Sequence, residues 1–149
     1  MKYRKLGNAE ILISEIGFGA WGIGGVSAGA TSYGPTDDDS SRRALKCALD
    51  RGINFYDTSN VYGEGHSETL IGEALLKKRD RVVVATKVGL VEYGKPIDFS
   101  IKSLTASLEA SLKRLQTDYV DLMQLHNPSP NAIEQDNDIL DWVCQLKKE

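Results

Sequence analysis

Short apolar runs alternate with longer amphipathic stretches along this chain. The apolar runs predict strands at residues 16–21, 53–57, 81–87 and 119–126. The amphipathic stretches predict helices at residues 37–51, 67–77, 100–115 and 136–148, with loops at 22–35, 58–65, 88–99 and 127–135. Before them, residues 3–6 and 11–14 flank the turn dipeptide Gly7-Asn8 and predict a hairpin over about residues 1–14.

Each predicted helix carries one apolar face that would pack on a sheet. Acidic residues begin the first helix and Gly52 ends it, while Ser100 is a favourable N-cap for the third. The positions expected to be buried are Ala44, Leu45, Ala48 and Leu49, then Leu70, Ile71, Ala74 and Leu75, then Leu104, Leu108, Leu112 and Leu115, then Ile139, Leu140, Val143 and Leu146.

The order of these elements predicts an α/β fold. A hairpin followed by four β-loop-α units is typical of a parallel sheet covered by helices. Two architectures fit: an open doubly wound sheet, or the first half of a (β/α)8 TIM barrel. No linker or low-complexity stretch interrupts the chain, so residues 1–149 are expected to form a single unit, with βα units over about residues 15–149.

Composition and charge exclude several classes of protein. Hydrophobic residues make up 41% and charged residues 26%, which is ordinary for a globular protein. The net charge of −3 and the lack of a basic run argue against nucleic acid or an anionic membrane as a partner. Cys47 and Cys144 belong to no CxxC or Cys/His cluster, so neither a structural metal nor a disulfide framework is expected. A polar amino terminus and short apolar runs predict a cytoplasmic protein.

The segment Gly17-Phe-Gly-Ala-Trp-Gly22 matches the GxGxxG fingerprint of Rossmann dinucleotide sites. That fingerprint requires a helix that opens on the last glycine, so that its N–H groups meet the pyrophosphate. The next residues, Ile23-Gly-Gly-Val-Ser-Ala-Gly29, do not favour a helix. We therefore interpret these glycines as the end of a strand and the start of a loop beside a bound group.

Ionisable residues stand at the ends of three predicted strands: Asp57, Lys87 and His126. Tyr62 lies in the loop after the first of them. Because the carboxyl ends of parallel strands form one face, these four side chains are expected to be neighbours. Each alone has a simpler interpretation: a turn-capping aspartate, a solvated lysine, a packed loop tyrosine and a buried histidine. A lysine and an aspartate in the same strand-end layer, however, must pair to offset the cost of burial.

Together, these four side-chain types suit the reduction of a carbonyl. Hydride addition leaves an alkoxide that must be protonated, and a tyrosine can act as the general acid. The unperturbed pKa of a phenol is about 10, and a neighbouring ammonium lowers it. An aspartate can keep a lysine charged, and a histidine can hydrogen-bond the carbonyl oxygen and position it.

Three segments resemble signatures of the aldo-keto reductases. They are Ile53-Asn-Phe-Tyr-Asp-Thr-Ser-Asn-Val-Tyr-Gly-Glu-Gly-His-Ser-Glu68, Val84-Ala-Thr-Lys-Val-Gly89 and Asp121-Leu-Met-Gln-Leu-His126. The opening Met1-Lys-Tyr-Arg-Lys-Leu-Gly7, with Gly17-Phe-Gly-Ala-Trp-Gly-Ile-Gly-Gly25, resembles the bacterial branch that is also similar to the potassium-channel β subunits. The resemblance covers essentially the whole chain.

This resemblance implies a (β/α)8 barrel with a hairpin plugging its base, and NADPH bound in an extended form without a Rossmann motif. Tyr62 would be the general acid for an aldehyde or ketone. Lys87 and Asp57 would adjust the pKa of its phenol, and His126 would orient the carbonyl. The nicotinamide and substrate would lie beside Gly19, Ala20 and Trp21. The residues expected at the cofactor are Gly19, Ala20, Trp21, Asp57 and Asn127, the last at the carboxamide. Glu64 and His66 are interpreted as loop residues.

The chain supplies four of the eight strands of such a barrel. In the family most contacts to the adenosine and pyrophosphate come from later strands, so this chain alone is expected to be inactive. Two sheet edges and an apolar inner face would be exposed, which predicts self-association. The sequence is compatible with a fragment of a longer protein, a natural half-barrel that dimerises, or an open sheet without enzymatic role. The functional alternatives are accordingly a reductase and a non-enzymatic oligomerising module.

Overall fold

The computed structural model describes residues 1–27, 33–130 and 137–147. Parts of the predicted loops 22–35 and 127–135, and both ends of the predicted last helix, lie outside these described residues. In chain order the elements are β1 (Tyr3–Lys5), β2 (Leu12–Ser14), β3 (Phe18–Gly19), α1 (Asp38–Asp50), β4 (Phe55–Asp57), α2 (His66–Leu75), β5 (Val83–Val88), α3 (Ile101–Leu115), β6 (Leu122–Leu125) and α4 (Asn137–Leu146).

The predicted hairpin is present and lies at the amino end of the sheet. β1 and β2 pair antiparallel with Tyr3 opposite Ser14. Gly7 has a φ of +55° in their connection, a conformation that glycine adopts without steric cost. The backbone N–H of Ser14 donates to Asn54 Oδ1 at 2.7 Å, and the Tyr3 hydroxyl donates to the Gly52 carbonyl at 2.8 Å. These bonds fasten the hairpin to the segment that leads into β4.

Strands β3, β4, β5 and β6 form one parallel sheet in that order. Gly19 pairs with Asp57, Asp57 with Ala85, and Ala85 with Leu122. Each new strand is added on the same side of the previous one. The described sheet therefore lacks the reversal of strand order that a doubly wound sheet requires. This distinguishes the two architectures that the sequence left open and favours the barrel type.

The segment that matches GxGxxG forms β3 and then a 3-10 helix over Ala20–Ile23. Gly22 lies inside this short helix, and residues 24–27 that follow it are not helical. Within the described residues, no α-helix opens on Gly22, in agreement with the rejection of a Rossmann site. The strand is shorter than the predicted run over residues 16–21.

The capping residues begin the helices where the sequence predicts, but one predicted core position is wrong. Asp37 accepts a hydrogen bond from the Ser40 N–H at 2.7 Å, which lowers the pKa of its carboxyl group. Ser100 caps α3 by accepting from the Ser103 N–H at 3.3 Å. In α1 the buried residues are Ser41, Leu45, Ala48 and Leu49. Ala44 is exposed, because it lies at the edge of the stripe that faces the sheet.

A second predicted core position fails in α4. Ile139 is 1% exposed, but Leu140 is 50% exposed. Trp142, which the pattern did not select, packs beside Ile139 instead. Residues 139 and 142 share a helical face, whereas residue 140 is rotated by about 100° from residue 139.

Three element boundaries differ from the prediction around α2: the start of this helix, its end at Leu75 and the start of β5. His66, interpreted as a loop residue, is the first residue of α2, because Gly65 adopts φ +91° and lets the chain turn into the helix. Its Nε2 lies 2.9 Å from Asp38 Oδ1 at the start of α1. After α2, a 3-10 helix covers Leu76–Arg81, so β5 begins at Val83 rather than at residue 81.

The buried side chains form two clusters. The larger lies where α1 and α2 pack on the sheet and includes Leu45, Tyr56, Leu70 and Val84. The Tyr56 hydroxyl donates to the Leu45 carbonyl at 3.1 Å, and burial raises the pKa of this tyrosine to about 12. The smaller cluster joins β5, α3 and α4 through Val88, Leu104 and Ile139. None of the helices in the described part of the chain has the length and apolarity that a membrane crossing requires.

Candidate active site

The four residues predicted at the strand ends lie together at the carboxyl edge of the sheet. Asp57 is the last residue of β4, and Lys87 is the second-last of β5. His126 directly follows β6. Tyr62 lies in the loop after β4, and its ring is 6.1 Å from the His126 ring, measured between centroids, in an edge-on arrangement. The expected neighbourhood of these four side chains is therefore present.

The Lys87 ammonium is the centre of the cluster. Its Nζ donates to both carboxylate oxygens of Asp57 at 2.9 and 2.8 Å, and to the Thr58 carbonyl at 2.8 Å. It also lies 3.3 Å from the Tyr62 hydroxyl. The lysine is thus paired, as burial at this layer demands. A positive charge at hydrogen-bond distance from a phenol oxygen stabilises the phenolate.

A glutamine outside the four predicted site residues also contacts Asp57. Gln124 Nε2 donates to Asp57 Oδ1 at 3.4 Å. Gln124 lies in β6, two positions before His126, and the alternation of side chains along the chain places both at the same face of the sheet. That spacing is the sequence signal from which Gln124 could have been identified.

His126 is a buried, neutral side chain. It is 8% exposed, and its Nδ1 lies 2.9 Å from Ser59 Oγ. Burial lowers the pKa of His126, the Lys87 ammonium lowers it further, and the Asp57 carboxylate opposes these effects. The imidazole is accordingly uncharged at neutral pH, with one nitrogen that donates and one that accepts.

The loop that carries Tyr62 is fastened to the loop after β3. A Cβ on Gly63 would lie 1.9 Å from the Gly24 carbonyl oxygen, and one on Gly24 would lie 2.9 Å from the Gly63 nitrogen. The Gly63 N–H donates to Ser27 Oγ at 3.1 Å, and Ser27 is buried. Two glycines are therefore required for the two backbones to approach this closely.

Two further aromatic rings, those of Trp21 and Tyr33, lie in a row beside Tyr62. The Trp21 ring is 6.5 Å from the Tyr62 ring and 4.7 Å from the Tyr33 ring, between centroids. Trp21 Nε1 is buried and has no hydrogen-bond partner among the described residues. Tyr33 is 78% exposed. These rings form an apolar wall beside the phenol of Tyr62.

The three remaining predicted cofactor residues differ in exposure. Gly19 is level with Asp57, and a Cβ there would meet no atom within 4 Å. Ala20 is fully buried, and its carbonyl accepts a hydrogen bond from Ser67 Oγ at 2.8 Å. Asn127 follows His126, is exposed and has a φ of +52°. Gly19 and Asn127 thus border open space, whereas Ala20 supports the site from behind.

A buried polar network lies on the other face of β5. Glu68 of α2 is fully buried and accepts hydrogen bonds from Thr86 Oγ1 and, at 2.7 Å, from Arg114 Nε. Arg114 Nη2 also donates to Ser111 Oγ at 3.2 Å. Thr86 precedes Lys87, so their side chains project to opposite faces of the strand. Glu68 and Thr86 belong to segments that resemble the aldo-keto reductase signatures, but their residue types and spacing alone predict no role for them.

Metal-binding groups are not clustered in the part of the chain that the structure describes. No set of three or more His, Cys, Asp and Glu side chains there is placed to hold a metal ion. Cys47 and Cys144 are free thiols and exposed.

Comparison with proteins of known sequence shows relatives over most of the chain. A model of the Aldo/keto reductase family matches residues 15–149. Aldo-keto reductase YhdN of Bacillus subtilis is 40% identical over 134 residues, which cover 87% of this chain and 39% of that protein. A probable voltage-gated potassium channel subunit beta of Arabidopsis thaliana is 33% identical over 137 residues, which cover 89% of this chain and 39% of that protein.

Solved structures of the same kind superpose on the chain. The holo form of an aldo-keto reductase of Bacillus halodurans has a TM-score of 0.83 and 35% identity, covering 99% of this chain and 47% of that one. An aldo-keto reductase of Klebsiella pneumoniae in complex with NADPH has a TM-score of 0.63 and 30% identity, covering 87% and 42%. The chain thus spans less than half the length of these relatives, and its sheet corresponds to part of their (β/α)8 barrel. With the family model matched over nearly all of its residues, the chain belongs to the aldo/keto reductase family.

Proposed function

We propose that this chain carries the acid–base residues of an NADPH-dependent oxidoreductase that reduces aldehydes or ketones to alcohols, with Tyr62 as the general acid. One observation carries the proposal: Lys87 Nζ contacts both carboxylate oxygens of Asp57 and lies 3.3 Å from the Tyr62 hydroxyl. A lysine held in its charged form next to a phenol makes that phenol a better proton donor.

The residues at the carboxyl edge fit the nicotinamide end of such a cofactor. Beside Asp57, Gly19 leaves open space where any larger side chain would protrude. The family neighbour from Klebsiella pneumoniae binds NADPH. Gly19, Trp21 and Asn127 would hold the nicotinamide of this chain, with Asp57 at its edge and Ala20 behind it. When bound, NADPH supplies the hydride that carbonyl reduction requires.

In the proposed reaction, the chain's own residues bind the carbonyl oxygen and protonate it. His126 donates a hydrogen bond to that oxygen and orients the carbonyl group. As negative charge develops there, the Tyr62 hydroxyl transfers its proton to it, and an alcohol forms. The Lys87 ammonium, held by Asp57, stabilises the tyrosinate that remains. A proton from water then restores the phenol.

These 149 residues alone are proposed to be inactive. The relatives that the chain matches are more than twice as long, since the matched segments cover 39% of Aldo-keto reductase YhdN and 47% of the Bacillus halodurans enzyme. The adenosine and pyrophosphate of an extended dinucleotide would need residues beyond those at the carboxyl edge of this sheet. The 149-residue polypeptide would therefore position a carbonyl and a proton without retaining the cofactor.

Self-association of the polypeptide is the second part of the proposal. Within the described residues β3 and β6 are the two edges of the parallel sheet, and unpaired edges offer hydrogen-bonding groups to another strand. Light scattering after size-exclusion chromatography should give a mass at least twice the 16.4 kDa of one chain. A folded, well-dispersed species of 16.4 kDa would refute edge pairing.

A chimera tests the catalytic proposal. The residues of this chain would replace the segment of Aldo-keto reductase YhdN that they match, and NADPH oxidation would be followed with a panel of aldehydes and ketones. We expect turnover by the chimera and none by the 149-residue polypeptide. Tyr62→Phe should lower kcat by roughly 100- to 10,000-fold, which is the usual contribution of a general acid.

The matched control for this substitution is Tyr33→Phe. It removes a phenol hydroxyl from the same aromatic wall but leaves the ring on Trp21, so kcat should remain close to that of the unmodified chimera. Turnover that survives Tyr62→Phe would contradict the proposed general acid. A folded chimera that binds NADPH without turnover would instead support a non-enzymatic module.

A further inference from the structure

The histidine of the site is held by a side chain that the sequence pattern did not single out. Ser59 Oγ and His126 Nδ1 are 2.9 Å apart, although 67 positions separate the two residues in the chain. Ser59 is fully buried, and His126 is 8% exposed. A hydrogen bond shielded from water in this way restrains a ring more strongly than an exposed one.

The direction of this hydrogen bond decides what His126 can offer to a substrate. A neutral imidazole carries its proton on one nitrogen and accepts at the other. If Ser59 donates to Nδ1, the ring proton resides on Nε2. If Ser59 instead accepts from Nδ1, Nε2 carries only a lone pair and cannot donate to a carbonyl oxygen.

We propose that Ser59 is a positioning residue whose hydroxyl donates to His126 Nδ1 and so fixes the ring proton on Nε2. The competing acceptor for that proton is Asn60 Oδ1, which is farther away, at 3.2 Å. The Asn60 amide is held separately, because its Nδ2 donates to the Leu90 carbonyl at 2.8 Å. The backbone N–H of Val61 donates to Ser59 Oγ at 3.4 Å, so this contact uses a lone pair of the hydroxyl oxygen and not its proton.

The other ring nitrogen is available to a substrate. Among the described residues His126 Nε2 has no hydrogen-bond partner. Part of this nitrogen's surface is open to solvent, since Trp21 Nε1 is the buried side-chain nitrogen without a partner there. Nε2–H is the donor that a carbonyl oxygen needs before it receives a proton from Tyr62. This role of Nε2–H rests on the proposed function, whereas the Ser59–His126 bond and its direction do not.

The ring proton can be located directly by NMR on the 149-residue polypeptide. The chain contains two histidines, so isotope labelling of histidine nitrogen gives two ring systems, and His66→Gln identifies which belongs to His126. At neutral pH we expect the His126 signals of the Nε2–H tautomer, with Nδ1 as an acceptor. A predominant Nδ1–H tautomer in the unmodified protein would overturn the proposal, and this measurement needs neither cofactor nor turnover.

Substitutions then test whether Ser59 is the cause. Ser59→Ala should lower the ratio of Nε2–H to Nδ1–H by roughly 3- to 10-fold, as expected for the loss of one hydrogen bond. Ser59→Thr, which keeps the hydroxyl, should restore it. Ser111→Ala is the matched control, because Ser111 is also fully buried and hydrogen-bonded but lies in α3 behind the sheet. An unchanged ratio in Ser59→Ala refutes the assignment.

The proposed function can fail separately. An inactive chimera with the expected His126 tautomer and the expected Ser59→Ala response would count against carbonyl reduction and still support Ser59 as the residue that sets the tautomer. An active chimera with an Nδ1–H tautomer would support carbonyl reduction and refute Ser59 as the residue that sets the tautomer.

Discussion

Two carboxylate–cation pairs lie on opposite faces of β5 and differ in what surrounds them. On the open face Asp57 pairs with Lys87, and on the helix-covered face Glu68 pairs with Arg114. The Asp57 side chain is 36% exposed, whereas that of Glu68 has no exposed surface. The same kind of ion pair therefore occurs once with a partly exposed carboxylate and once with a fully buried carboxylate whose partner, Arg114, keeps 28% of its side chain exposed.

The difference indicates which pair is suited to chemistry. The Glu68 carboxylate accepts from both Thr86 and Arg114, so each of its two oxygens already has a protein donor. Lys87, in contrast, has a further neighbour, the Tyr62 hydroxyl, which can release and regain a proton. The pair around Glu68 connects α2, α3 and β5, and the pair around Asp57 lies beside a phenol.

Removing the cation from each pair in turn gives the largest expected effect. Arg114→Met should lower the free energy of unfolding by about 3–5 kcal/mol, because it leaves the Glu68 carboxylate buried and unpaired. Lys87→Met should lower it by only about 1 kcal/mol, because water can reach Asp57. Urea unfolding followed by circular dichroism measures both.

An exposed pair calibrates this experiment. Arg42 pairs with Asp39 and Glu73 on the surface, and Arg42→Met should change the free energy of unfolding less than either of the other two substitutions. Equal losses in Arg114→Met and Lys87→Met would show that burial does not distinguish the two pairs.

On the open face, the loop that carries Tyr62 is held by the backbone contact between Gly24 and Gly63. A pair of glycine substitutions tests how much this contact contributes to stability. Gly63 and Gly7 have similar φ values, +60° and +55°, but a Cβ on Gly7 would meet nothing within 4 Å. Gly7→Ala should therefore lower the free energy of unfolding by about 1–2 kcal/mol, the cost of a left-handed alanine. Gly63→Ala should lower it by about 1–3 kcal/mol more, because its Cβ would overlap Gly24.

Thermal or urea unfolding of both variants checks this prediction. The Gly7→Ala variant reports the backbone strain alone, since its surroundings are open. Equal destabilisation by the two substitutions would mean that the Gly24–Gly63 contact contributes nothing to the loop that carries Tyr62.

The strand ends were predictable because they follow from the order of elements alone. Asp57, Lys87 and His126 each fall where an apolar run stops, and parallel pairing brings such positions to one edge. Ser59 and Gln124 were not selected, since their partners lie 67 positions away in the chain and depend on the relative register of β4 and β6. Periodicity identifies a strand but not the contacts of polar side chains near it.

The helix faces show a second physical reason for the errors. Leu140 and Ala44 belong to runs in which apolar residues occupy adjacent positions, so the pattern does not define the centre of the buried stripe. Packing decides it: Trp142 covers the surface beside Ile139, and Leu140 remains exposed. The roles of the predicted cofactor residues stay predictions, since they depend on a bound group.

The smallest expected effect is the contribution of His126, on the open face, to the pH dependence of the free energy of unfolding. The pKa of His126 is below the value of about 6.5 that a histidine has in an unfolded chain, mainly because of burial and also because of Lys87, with Asp57 acting in the opposite sense. Between the folded and unfolded pKa values the unfolded state binds more protons. The free energy of unfolding should therefore rise with pH in that window, and the contribution is lost as pH falls from about 6.5 toward the folded pKa.

The comparison of wild type with His126→Gln isolates this contribution. The stability difference between the two proteins, measured by urea unfolding at several pH values from about 5 to 7.5, should grow in favour of wild type as pH rises. His66→Gln serves as the control, because it removes the other histidine of the chain and keeps the buried ring beside Lys87. A difference that stays flat, or that grows as pH falls, would mean that His126 is not buried as a neutral ring, and the open face would then lack the uncharged donor that distinguishes it from the ion pair behind β5.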